Sequence, residues 1–90
     1  MRTKLTAEQK AYAEMTDDFA PEVVAMFKRL RAKLPRFSLS YRTYSSSYLL
    51  DRLRAEVRVL AGDFTEENAI DVANFAVMIA YRIRQQKGES

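Results

Sequence analysis

The chain contains no cysteine and no histidine. Without cysteine there can be no disulfide and no thiolate metal site. Without histidine the usual general base and the commonest nitrogen ligand for zinc are missing. Any catalysis must run on carboxylates, on hydroxyls, or on a metal held by oxygen. Only two glycines and two prolines occur among 90 residues, while 48% of the chain is apolar. That composition excludes a disordered segment and favours helices. No stretch alternates apolar and polar residues as a half-buried strand does. The first twenty residues are charged and lack the apolar core of a signal peptide. The apolar run near the end is too short and too often interrupted to span a bilayer. These features lead to the expectation of one all-α domain over residues 1–90, in the cytoplasm, with no membrane partner.

Charge is present but unevenly placed. The formal net charge is +3 and the isoelectric point about 9.4. Between Lys28 and Arg58 nine Lys or Arg face only two acids, Asp51 and Glu56. Such a region attracts phosphate, and it also suits a solvated helix surface. A nucleic-acid partner is not expected, because no helix-turn-helix pattern accompanies the basic run and the last helix carries acids.

The spacing predicts about four helices. Thr6-Ala7-Glu8-Gln9 fits a capping box that opens a short N-terminal helix, residues 6–16. Asp17 and Asp18 offer a second N-cap, with Pro21 in the first turn of the helix it would start. Phe19, Val23, Met26, Phe27, Leu30 and Leu34 then recur at helical spacing until Pro35. Residues 35–47, PRFSLSYRTYSSS, have no regular period and read as a long connection, rich in hydroxyls and Arg. A core helical pair is expected over residues 48–86, capped by Ser45–Ser47 and interrupted by Gly62 and Asp63-Phe64-Thr65-Glu66.

The last helix raises a question of its own. Nearly every side chain from Ala69 to Ile83 is apolar, yet Asp71 and Asn74 sit in the middle. A buried carboxylate is expensive unless its charge is compensated. At about 100° per residue, Glu67, Asp71 and Asn74 share one face, with Asn68 nearby. On the preceding helix Leu49, Leu53, Val57 and Leu60 fall within about 80° of one another, and Glu56 lies inside or at the edge of that stripe. If the two faces pack, Glu56 approaches Asp71, Asn68 and Asn74. One acid can then stay protonated, an Arg or an amide can compensate, or a divalent cation can sit between them. In the purely structural version Asn74 bonds to Asp71 or to backbone, and Arg52 pairs with Glu56. Leu53 and Phe75 are expected in the core.

Residues 49–82, LLDRLRAEVRVLAGDFTEENAIDVANFAVMIAYR, resemble the core of the MazG-like all-α nucleoside triphosphate pyrophosphohydrolases. The likeness is most specific at Asp71-Val72-Ala73-Asn74-Phe75. In that family two helices carry acidic motifs, E-E-x-x-E and E-x-x-D, that bind Mg²⁺ around a triphosphate. Hydrolysis at the α-phosphate releases pyrophosphate. The resemblance implies a MazG-like small helical bundle completed by oligomerisation. It implies Mg²⁺ on Glu56, Asp71 and Asn68, and a nucleoside triphosphate contacted by Asn74, Lys33, Arg36, Arg42 and Tyr44. It names no catalytic base. The first motif reads Ala55-Glu56-Val57-Arg58-Val59 and the second Asn68-Ala69-Ile70-Asp71, so two acids have become apolar and one an amide. The sequence therefore allows an active hydrolase, an inactive relative that binds a nucleotide or a protein, or a basic nucleic-acid binder. A homo-oligomer, dimer or tetramer, is expected because the last helix is apolar around most of its circumference.

Overall fold

A computed structural model describes residues 4–37 and 40–88, with side chains at positions 33–40 outside the description. Among the described residues three α-helices form: α1 (Ala7–Phe37), α2 (Ser46–Gly62) and α3 (Glu66–Gln86). A 3₁₀ turn, Ser40–Thr43, lies between α1 and α2. The described residues are helical throughout, with short connections and no strand.

The two helices expected before residue 35 are one. Thr6 does cap its start: the Thr6 N–H donates to Gln9 Oε1 at 2.9 Å, and the Gln9 N–H to Thr6 Oγ1 at 3.0 Å. The helix then runs through Asp17, Asp18 and Pro21 to Phe37. Pro21 withholds one hydrogen bond from the preceding turn, but the residues there are exposed, so water can satisfy the freed carbonyl. No glycine interrupts the chain before Gly62. Pro35 likewise falls in the last turn and does not end the helix. The predicted long connection is correspondingly shorter, and the 3₁₀ turn occupies part of it.

α2 and α3 pack against each other. Ser45 caps α2, its side chain accepting from the Tyr48 N–H at 3.1 Å. Thr65 caps α3, accepting from the Asn68 N–H at 3.2 Å. Gly62 is the last residue of α2, and its backbone is not left-handed. The left-handed glycine is Gly88, at φ 78° just past α3.

Packing is sparse. α2 and α3 form the main contact, and only the C-terminal part of α1 joins them. Among the described residues Leu49 and Ile70 are the buried apolar ones, and Asp71 and Asn74 the buried polar ones. Leu53 and Phe75 are half-buried, and Val57, expected inside, is exposed. The radius of gyration is 16.5 Å, against about 12 Å for a compact chain of this length. Residues 4–24 of α1 and its approach are exposed throughout.

Candidate functional site

The polar stripe of α3 is where α1 docks. Thr65 fixes the start of α3, and each later turn presents one polar residue of the series Glu67, Asp71, Asn74 to the same side. Arg29 reaches this stripe from α1. Its Nε donates to Asp71 Oδ1 at 2.7 Å and its Nη2 to Asp71 Oδ2 at 2.9 Å. Its Nη1 stands 3.7 Å from Glu67 Oε2. One turn further along, Asn74 Nδ2 donates to the Met26 carbonyl at 3.3 Å. Met26 and Leu30 are half-buried beside them. The carboxylate in the apolar helix is thus compensated by a guanidinium, in the two-point geometry that suits this pair best.

The Asp71 hydrogen bond is the main reason that the Arg29 guanidinium holds its proton more tightly than usual. Its burial works the other way. The nearby charges of Asp71, Glu67 and Glu56 add to the rise. A raised basic pKa gives stability that is complete below the ordinary arginine value and is lost only as pH rises through the higher one. The cationic half of the pair therefore stays charged at every working pH.

Glu56 has its own partner. Arg52 Nη2 donates to Glu56 Oε1 at 2.7 Å, one helical turn away. The same guanidinium lies over the Phe75 ring, 5.3 Å from its centroid, which ties α2 to α3. Asn68 turns away from the seam: its Nδ2 donates to the Asp63 carbonyl at 2.8 Å, so it closes the α2–α3 turn. The three residues expected to hold Mg²⁺ are therefore in three separate partnerships. Among the described residues no group of three acids, His or Cys is placed to hold a metal ion.

Of the other expected ligand contacts, Asn74 lies on this seam, and Arg42 and Tyr44 lie apart from it. The side chains of Lys33 and Arg36 fall outside the described residues. Arg42 is exposed, and its carbonyl accepts from Arg82 Nη1 at 3.2 Å. Tyr44 is half-buried, its ring 4.8 Å from that of Tyr48. Tyr41 meets Tyr81 edge-on at 5.8 Å, and Arg84 lies over Tyr81 at 5.6 Å. These contacts fasten the 3₁₀ turn to the end of α3, helped by Gln86 Nε2 donating to Ser46 Oγ at 3.3 Å.

No family model, curated protein or solved structure matches the chain.

Mg²⁺ does not fit the residues as they stand. Both Asp71 oxygens are engaged by Arg29, and Glu56 is neutralised by Arg52. A hard divalent cation needs several oxygens and enough negative charge to offset its dehydration. Ala55 and Val59 offer none, and Asn68 offers only a neutral amide. Sequence reasoning missed Arg29 as the decisive residue. The signal was there: Arg29 sits three residues after Met26 and one before Leu30, at the margin of the apolar stripe. As one member of the basic run, it reads equally as a phosphate contact or a solvated side chain.

Proposed function

We propose that the chain is a catalytically silent relative of the MazG-like pyrophosphohydrolases, a helical module that acts by binding protein. The observation that carries this reading is the two-point grip of Arg29 on Asp71. A guanidinium there supplies the positive charge that the family's metal would supply, and it does so from within the chain. The same carboxylate that would orient a metal instead orients α1. The exposed apolar side chains of α1 favour protein as the partner. The hydrolytic reading has only the sequence resemblance behind it.

The test is thermal melting with and without millimolar Mg²⁺ or Mn²⁺, alongside pyrophosphate release from the nucleoside and deoxynucleoside triphosphates. An ion that binds only the folded state must raise its apparent stability. The expected result is no shift and no release. A shift, or release, that disappears in Asp71→Asn overturns the reading.

A further inference from the structure

Along residues 12–27 of α1 a series of large apolar side chains stays exposed. Tyr12, Met15, Phe19, Val23 and Phe27 are each between 46% and 68% exposed. At about 100° per residue Tyr12, Phe19, Val23 and Phe27 lie within about 80° of one another, so they form one stripe. Helices of soluble proteins do not leave such a stripe in water without a partner.

Charge says what the partner is. Residues 7–24 of α1 hold five acids, Glu8, Glu14, Asp17, Asp18 and Glu22, against one base, Lys10. Residues 25–37 hold five bases and no acid. The helix is therefore acidic in one half and basic in the other, with the apolar stripe running across the junction. A parallel pair of such helices would set like charges side by side. An antiparallel pair sets each acidic half along a basic half. A two-fold axis near Val23 sets Phe19 of one copy across from Phe27 of the other. Arg29 is committed to Asp71, whereas Arg31 is exposed and lies about 80° from the centre of the stripe, at its border.

The area agrees. The chain exposes 7483 Å², whereas a compact monomer of its mass exposes about 5,400 Å². The excess of about 2,000 Å² is larger than the roughly 800 Å² that each partner of a standard-size interface covers, so the open surface has room for one.

We propose that α1 pairs antiparallel with α1 of a second copy, about a two-fold axis near Val23, with the acidic half of each helix along the basic half of the other. This names the partner for the protein-binding reading above and rests on that reading only in taking the partner to be protein.

Because the chain has no cysteine, single substitutions report the geometry without background. Val23→Cys, at the axis, should form an intermolecular disulfide under mild oxidation. Tyr12→Cys should not, because its two copies would sit about 30 Å apart along the pair. Sedimentation of wild type at tens of micromolar should give a dimer or a multiple of one. Phe19→Asp, within the stripe, should raise the dissociation constant at least about tenfold. Circular dichroism of each variant at high concentration checks that the helices remain. A monomeric wild type overturns the proposal. So does cross-linking of both cysteine variants, which marks a parallel pair, or of neither, and so does an unchanged dissociation constant in a folded Phe19→Asp. Pyrophosphate release measured on the same samples is independent: its appearance would end the silent-enzyme reading and leave the pairing untouched.

Discussion

Arg29 and Asp71 lie 42 residues apart in the chain and meet through two hydrogen bonds, at 2.7 and 2.9 Å. The two residues are not equally dry. The Arg29 side chain is 32% exposed and that of Asp71 only 12%. Removing either partner therefore has unequal consequences, and the inequality is measurable.

Arg29→Ala strips a nearly buried carboxylate of its guanidinium. The loss should be about 3 kcal/mol, near the low end for buried pairs because Arg29 still touches water. Asp71→Asn keeps the shape and leaves Arg29 able to turn toward solvent and Glu67. It should lose about 1–2 kcal/mol. Replacing both together, Arg29→Met with Asp71→Leu, should come close to wild type, because neither charge is then stranded. Urea denaturation of the three variants decides the order. Equal losses for the two single changes would mean that burial does not set the energetics of this pair.

Much of this arrangement could be read from the sequence, for reasons that differ by element. The boundaries of α2 and α3 were legible because Ser45 and Thr65 cap them through local bonds, within three residues. The polar face of α3 was legible because helical periodicity alone puts Glu67, Asp71 and Asn74 together. The partner of that face was not. Whether Asp71 meets Glu56, a metal or an arginine depends on how α1 docks, and no local rule encodes that. The break at Asp17, Asp18 and Pro21 misled for a related reason. Those residues mark helix starts in statistics drawn from buried and exposed helices alike, but an exposed helix can let water take the place of Pro21's missing donor.

The small core makes Leu49 the most sensitive apolar position. It is fully buried, so Leu49→Ala should lose about 3–5 kcal/mol. Leu53 and Phe75 are half-buried and should lose roughly half as much on truncation, in proportion to the area they hide. Arg31 is exposed, and Arg31→Ala should stay within about 0.5 kcal/mol of wild type. Chemical denaturation, run at one protein concentration for all four, gives the ranking. Leu53→Ala exceeding Leu49→Ala would put the centre of the core one turn further along α2.

Gly62 offers a stabilising change. It ends α2 with an ordinary backbone, and a Cβ built there meets nothing within 4 Å. Gly62→Ala should add about 0.5–1 kcal/mol, chiefly by restricting the unfolded chain. The same change at Gly88, where φ is 78°, should instead be unfavourable, because alanine resists that conformation. Melting of both variants, at equal concentration, tests the contrast.

The last expectation concerns the free length of α1. Residues 25–30 are partly anchored, since Ala25, Met26, Arg29 and Leu30 are at least half-buried against the rest of the chain. Residues 7–24 are exposed along their whole length. A helix held only by its own hydrogen bonds is marginal in water, even when one end is already nucleated. Pairing would change that, because each amide in the segment could then exchange only after the pair opens or the end frays. Amide protection over residues 7–24 should therefore rise with protein concentration. Protection at the centres of α2 and α3 should change less, since their bonds are shielded by contacts inside one chain. Hydrogen exchange read by mass spectrometry, at concentrations spanning the dissociation constant from sedimentation, separates the two regions. Protection of residues 7–24 that does not vary with concentration would mean that the segment gains nothing from a second copy. The antiparallel pair would then lose its energetic basis, however well the charges match.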